Sequence, residues 1–480
     1  MGMATAGGAG QRPFAPGAIA GSFGIALAVA LVAAPAPAVA DTLPWALVQA
    51  YQNNPVLNSQ RAALRAQDEA VPQALSGYRP RVSATASVGN QFTNTLNKSV
   101  TPVGPVYTGS SADMTPHSVG LTATQTLFNG FQTANRTRQA ESQVSAGRAT
   151  LAVTEQTVLL NAATAYMNLI RDSAILQLQR SNVEVLQEQL RQTRDRFNVG
   201  EVTRTDVAQS ESRLAAGRAQ VLQAESNYIT SRAFYRQTIG VEPGKLEPAS
   251  PVDRFSPATL GAAIEAGKMF NPNVAAAMFG IDVALLQVKI NEGSLLPTVT
   301  GQVNVQQAWE VTPTILRQMT ASITGQVTIP IYQGGQEYSL IRQSKETLGQ
   351  QRITLDTQRD SVQQLVTQSW GQLEAAKAQI QATTAQVNSA EIALNGVREE
   401  ARVGQRTTLD VLNAQQELVN ARVALVTAQH DRVVASYTLL SAVGGLAVQA
   451  LGLKTSVYDP MTHYQQVRDS WIGVRNPDGR

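Results

Sequence analysis

Two stretches without proline, 132–199 and 336–403, carry the same apolar stripe. In the first, Ala162, Leu169, Leu176, Val183, Leu190 and Phe197 stand seven residues apart, and adding 204 to each gives Val366, Leu373, Ile380, Val387, Leu394 and Ala401. An apolar side chain at every seventh position, kept up this long and in two copies, is the pattern of helices packed as coiled coils. About 68 residues at roughly 1.5 Å each make either helix about 100 Å long. The 5% aromatic content suits such thin, closely packed helices better than a deep globular core.

Both helices end in the same turn. Val199-Gly200-Glu201-Val202-Thr203-Arg204-Thr205-Asp206-Val207 returns as Val403-Gly404-Gln405-Arg406-Thr407-Thr408-Leu409-Asp410-Val411. Glycine fits the left-handed position just past a helix, and Thr with Asp three residues later caps the next helix. Each copy is a hairpin tip, followed by a return helix over 203–238 or 407–442. Capping accounts for the glycines and for Asp206 and Asp410. It does not require Arg406, whose counterpart is Val202.

The duplication extends to the rest of the chain. Asn54-Pro55 matches Asn271-Pro272 and Pro80 matches Pro297, both 217 apart, whereas Gly130 and Gly334, like Gly240 and Gly444, are 204 apart. The first repeat, 41–240, therefore holds 13 more residues between Pro80 and Gly130 than the second, 241–445, does between Pro297 and Gly334. A loop there is the expected place for the excess. Each repeat opens with a short capped helix, Thr42 before Leu43-Pro44 and Ser256 before Pro257, and continues into a helix from about 55 to 76 and from about 272 to 293. Residues 446–480 read as a segment covering the middle of the helical body, followed by a flexible, partly extended tail.

Residues 1–40 read as an export signal: Arg12, an apolar run, then Ala38-Val39-Ala40 before Asp41, which places cleavage between Ala40 and Asp41. Its loss takes the formal charge from +3 to about +2, which is no footprint for nucleic acid. Beyond it no run of 18 apolar residues stands out, so a membrane crossing would have to use strands. Four segments have the necessary period of two, at about 81–92, 116–128, 298–309 and 319–331. Met319, Ala321, Ile323, Gly325, Val327 and Ile329 alternate with polar residues, and aromatics (Tyr78, Phe92, Phe128, Trp309, Tyr332) stand near the segment ends, as in outer-membrane strands. Four strands cannot close a membrane barrel, for which about eight is the minimum. Either the sheet lies on a soluble core or several chains share one barrel.

In this order and duplication the motifs resemble the TolC family of outer-membrane channel-tunnels, from Leu43 to about Leu451. The resemblance rests on Leu296-Pro297 before a strand, on Leu127-Phe128-Asn129-Gly130 and Ile331-Tyr332-Gln333-Gly334-Gly335 opening the long helices, and on the two Val-Gly tips. It implies a mainly α fold with a β-barrel portion: a homotrimer with a twelve-stranded barrel in outer-membrane lipid and a twelve-helix coiled-coil tunnel in the periplasm. It implies an exit duct for efflux or type I secretion, without enzymatic activity or cofactor. The partners would be a periplasmic adaptor at the tips (Val199, Gly200, Val403, Gly404) and an inner-membrane ABC or RND-type transporter. By the same resemblance Arg406 matches a periplasmic gate arginine, Thr205 and Asp206 its partners, and Asp410 an aspartate lining the constriction. Ala401 stands where the best-known member of the family has a gate tyrosine, and Asn413 where that member has a second aspartate ring.

The residues themselves leave a rival open: a secreted or surface coiled-coil protein whose strands form a small soluble cap. An enzyme lacks a convergent set, because there is no cysteine and His117, His430 and His463 have no ligand spacing or nucleophile beside them.

Overall fold

The computed structural model describes residues 41–477; the signal segment and its cleavage residue Ala40 lie outside the described residues. Helix α1 (Leu43–Asn53) starts on Thr42, whose hydroxyl accepts from the Trp45 N–H. Asn54 ends it and begins α2 (Pro55–Asp68). The expected single helix to residue 76 is divided at Glu69, and α3 (Ala70–Leu75) contains Pro72, which has no N–H for a continuous ladder. Strands β1 (Arg81–Val88), β2 (Gln91–Thr101), β3 (Gly104–Met114) and β4 (His117–Asn129) follow. Then come α4 (Gln132–Asn198) and its return helix α5 (Arg204–Ile239).

The second half has α6 (Leu260–Phe270), α7 (Pro272–Gly293), β5 (Thr298–Thr312), β6 (Ile315–Thr328), α8 (Gln336–Arg402) and α9 (Thr408–Val443). Here the expected cap is displaced: Ser256 closes a short 3-10 turn, and the hydroxyl that caps α6 belongs to Thr259, accepting from the Ala262 N–H. One stretch, Leu260–Gly293, is long and apolar enough on average to count as a span. It is two helices divided at Asn271-Pro272, with α6 packed on α8 and α9 and α7 packed on α4 and α8.

The long helices are each flanked in two segments. α4 packs against α2, α3 and α7 in one stretch and against α5 and α9 in the other; α8 does the same with α7 and α6, then α9. Where one flanking helix ends against the next, a buried asparagine joins them. The Asn54 amide donates to the Thr238 carbonyl (2.9 Å) while its oxygen accepts from the N–H groups of Val56 and Leu57. Asn271 repeats this with the Ala442 carbonyl (2.9 Å) and the Asn273 N–H. At this second joint Gly444 has φ +90°, and a Cβ there would lie 2.6 Å from the Phe270 carbonyl oxygen, so both conformation and space demand glycine.

The largest apolar cluster lies around the first joint. Leu47, Leu159, Tyr166, Tyr235 and Ile239 meet there with Leu446 and Val448, so the segment after 445 does cover the helical body. Tyr166 sets its hydroxyl 2.7 Å from the carbonyl oxygens of Asp41 and Glu247, fixing the start of the described chain to the link between the repeats. The tail is not merely extended. α10 (Pro460–Val467), capped by Asp459, packs on α2, and His463 Nδ1 lies 2.9 Å from the buried Asp68 carboxylate. A largely polar helix of about two turns has too weak a periodicity to announce itself in sequence.

The strands form an antiparallel sheet in the order β1-β4-β5-β6, leaving β1 and β6 as edges. β2 and β3, read from sequence as a loop, are a two-stranded ribbon. Its Thr, Ser, Asn and Gly content and its lack of a buried face hide the strand period. The ribbon prolongs the β1–β4 pair in unbroken register: Val88 pairs with His117, and Gln91 with Met114. At its root the Thr115 N–H donates to Glu310 (2.9 Å) and the His117 ring stacks on Trp309.

Asn271→Ala removes a cap and strands a buried carbonyl, so it is expected to cost about 2–4 kcal/mol in unfolding followed by far-ultraviolet circular dichroism. Asn271→Ser, whose hydroxyl keeps a cap while the donor to Ala442 is lost, is expected to cost less. Wild-type stability in Asn271→Ser would mean that the bond to Ala442 does not hold the joint.

Candidate functional site

Two parts of the fold carry chemistry that the chain's own packing does not use. The first is one face of the four-stranded sheet. Cross-strand pairing sets Val82, Ala123, Val303 and Ile323 in one row, Ala84, Leu121, Val305 and Ala321 in the next, and Ala86, Val119, Gln307 and Met319 in a third. The opposite face consists of rows such as Ser83, Thr122, Asn304, Ser322 and Thr85, Gly120, Gln306, Thr320. The apolar face is bare: Ile323 is 87% exposed, Met319 70% and Val82 64%. No helix of the described chain covers it. Contiguous apolar surface of this kind marks a lipid or protein contact.

The second part is the pair of hairpin tips. α4 ends at Gly200 (φ +84°) with the Glu201 N–H donating to the Arg196 carbonyl, and α8 ends at Gly404 (φ +79°) with Gln405 donating to Glu400, both at 2.9 Å. These bonds satisfy the last carbonyls of each helix. The return helices open with reciprocal capping boxes. Asp206 Oδ2 accepts from the Thr203 N–H (2.9 Å) and hydroxyl (2.7 Å); Asp410 Oδ2 accepts from the Thr407 N–H (3.0 Å) and hydroxyl (2.9 Å). Leu186, Leu190, Leu214 and Leu412 pack across between the two hairpins just behind the tips.

That packing leaves a cleft of about 540 Å³ between the tips, lined by Asp206 and Arg406 together with Thr203, Thr407 and Ala401. Packing of the two hairpins thus brings two of the gate candidates, Asp206 and Arg406, to one place. Within one chain, however, Arg406 bonds Glu400 (2.9 Å). Thr205 is exposed outside the cleft, and Asp410 is occupied by its own capping box. Asn413 accepts from Arg213 of α5 (2.7 Å), a contact between the two return helices. Val199 and Val403 are 72% and 71% exposed at the ends of the hairpins.

Sequence reading passed over the partner charges. The first tip has its own ion pair, Arg196 Nε to Glu201 Oε2 at 3.0 Å, with the cation on the incoming helix and the anion in the turn. The second reverses it, with Glu400 on the helix and Arg406 in the turn. The signal was present at offset 204, where Arg196 faces Glu400. The histidines serve elsewhere: His117 at the ribbon root, His463 on α2, and His430 between Asn168 and Asp431.

The Thr203 hydroxyl and N–H hold the Asp206 carboxyl below the usual carboxylate range, and the Thr407 N–H and hydroxyl do the same to Asp410. A depressed folded-state pKa contributes order that is fully present above the ordinary value, about 4, and is lost as pH falls through the folded value. Hydrogen exchange in the tip peptides is therefore expected to be slower than in Asp206→Asn/Asp410→Asn at neutral pH, with the difference vanishing in acid. A difference that persists at the acid end would show that these carboxylates do not supply the protection.

Known proteins match this architecture. The profile of the outer membrane efflux protein family matches residues 46–241 and 268–445. The chain is 42% identical over 444 residues to the outer membrane efflux protein BepC of Brucella suis, covering 92% of this chain and 94% of that one. It is 27% identical over 443 residues to the outer membrane protein TolC of Escherichia coli, covering 88% and 86%. Among solved structures, the CmeC outer membrane channel of Campylobacter jejuni superposes with a TM-score of 0.75 at 16% identity, over 89% of each chain, a likeness that shows the fold. With a family profile matched over most of its length and a relative above 40% identity along nearly all of it, this chain belongs to the outer membrane efflux protein family, the TolC family, and is a protein of the outer membrane with a periplasmic extension.

Proposed function

We propose that three copies of this chain form one passive duct from the periplasm to the outside, a twelve-stranded barrel continued by a twelve-helix coiled-coil tunnel. The observation that carries this reading is the sheet: four strands with a bare apolar face on one side, a polar face on the other, and unpaired edges at β1 and β6. In lipid every backbone N–H and C=O needs a partner, so such a sheet is stable only when β6 of one copy pairs with β1 of the next. Three copies give twelve strands, above the minimum of about eight. The polar face then lines the bore. A soluble cap would have no use for the bare apolar rows.

The helical layer supports the same closure. Its outer helices carry exposed apolar side chains, Leu222 and Ile229 seven residues apart on α5, and Ile353 and Ile392 on α8. A helix edge of this kind calls for a neighbouring copy. Detergent extraction is expected to yield a heat-modifiable trimer that dissociates only on boiling. Recovery as a soluble monomer from periplasm or medium would overturn the reading.

In this duct the tips are the periplasmic entrance, and Val199, Gly200, Val403 and Gly404 are the surface offered to an adaptor that joins it to an inner-membrane ABC or RND-type transporter. The transporter chooses the cargo, drug or polypeptide, in an efflux or type I secretion system. Closure is assigned to bonds between neighbouring hairpins, with Arg406 exchanging Glu400 for Thr205 and Asp206 of an adjacent tip. The cleft shared by Arg406 and Asp206 supports this, since both charges already face one space. Asp410 is assigned to an anionic ring. Asn413, bonded to Arg213, supplies no second one.

Arg406→Ser is expected to raise the resting conductance of purified protein in planar bilayers severalfold, and Asp410→Asn to weaken block by multivalent cations. Wild-type conductance in the first, or unchanged block in the second, removes that residue from the gate.

A further inference from the structure

The C-terminal segment ends in a place its sequence does not announce. From Tyr458 to Ser470 it runs as a strap beside α2 and α3 toward the base of the sheet. The Tyr51 hydroxyl accepts from the Tyr458 N–H (3.0 Å), His463 meets Asp68 (2.9 Å), and Val467 is buried. The strap finishes at Arg79, two residues before β1, where the guanidinium donates to the Ser470 carbonyl (2.6 Å) and lies 4.6 Å from the centre of the Trp471 ring. The three large apolar side chains that follow are bare: Trp471 is 68% exposed, Ile472 94% and Val474 102%. Tyr78, beside Arg79, is exposed as well.

Their height along the sheet is fixed by register. Nine residues beyond Arg79, Val88 stands in one row with His117 and Trp309. Nine residues of strand measure about 30 Å, or about 23 Å along the barrel axis at a tilt near 40°, close to the roughly 25 Å apolar band of outer-membrane barrels. Trp309 and Trp471 thus stand at opposite boundaries of that band. Trp is the residue favoured there, with an apolar body and an N–H that reaches the head groups. Arg79, on the Ser470 carbonyl, and the exposed Arg475 flank the bare residues with positive charge, as suits the boundary with lipid phosphate.

We propose that Trp471, Ile472 and Val474 enter the interfacial zone of the periplasmic leaflet, making the docked C-terminal strap a second membrane anchor beside the barrel, with phospholipid as its partner. This rests on the reading of the sheet as membrane-spanning. The strap holds the anchor at constant height and ties it through Asp68, Arg79 and Tyr51 to the helices below the sheet. It would resist tilting of the barrel when the long periplasmic helices are pulled from below.

Two full-length variants test it in phospholipid vesicles containing lipid brominated near the head groups. Trp45→Phe/Trp309→Phe/Trp370→Phe keeps only Trp471, and Trp45→Phe/Trp370→Phe/Trp471→Phe keeps only Trp309. Both are expected to lose about half or more of their emission relative to vesicles without bromine. Quenching of Trp309 with none of Trp471 overturns the anchor and leaves the barrel standing, whether Trp471 is then open to aqueous iodide or shielded by another copy. Quenching of neither overturns the membrane reading of the sheet, and the anchor with it. If the triple variants fail to assemble, wild type against Trp471→Phe alone reads the same quantity, since the single change is expected to remove Trp471's share of the quenched emission.

Discussion

Two buried asparagine side chains carry the architecture. A helix of 67 residues cannot be flanked by one shorter partner, so each long helix is covered by two helices meeting near its middle. At such a junction the upper helix leaves free N–H groups and the lower one free carbonyls, both shut off from water. Asn54 and Asn271 answer both needs at once, the oxygen capping the helix that begins and the amide bonding the helix that ends. The proline that follows needs no N–H partner, and Gly444 permits the close approach that a Cβ would block. The flanking helices thereby act as one, and the tips are held at a set distance from the sheet.

Above the helices the same economy produces a surface the chain cannot satisfy alone. Alternation in β1, β4, β5 and β6 puts valine, leucine, isoleucine and methionine on one side and serine, threonine, asparagine and glutamine on the other. In water the first side is a liability and the two edges invite association. In the proposed trimer the same face is solvated by lipid and the edges are closed by copies. The proposed anchor belongs to this logic, because Trp471, Ile472 and Val474, the barest large apolar side chains of the C-terminal segment, stand beside Arg79 where β1 is about to begin.

At the other end the two tips share a backbone design and differ in charge. Glycine, threonine and aspartate build both turns by the same bonds. The ion pair is then written in opposite order, Arg196 with Glu201 and Glu400 with Arg406. In the proposed threefold ring, duplication with reversed charge would let neighbouring hairpins meet as opposites rather than as like charges.

The sequence alone determined the long helices, the tip turns and the duplication, because these depend on contacts between residues close in the chain: a stripe at every seventh position, a glycine past a helix end, a threonine three residues before an aspartate. The tips and the long helices fall within one or two residues of the expected limits. The ribbon at 91–114 was not legible, since a strand pair without a buried face has no hydrophobic period to show. Nor was the docking of α10, whose Asp68–His463 contact joins residues 395 positions apart. Tertiary structure alone decided which charges meet. It set Asp206 across one cleft from Arg406 and carried Trp471 to Arg79, because side chains that meet across hundreds of residues are chosen by how the helices pack and not by their local sequence.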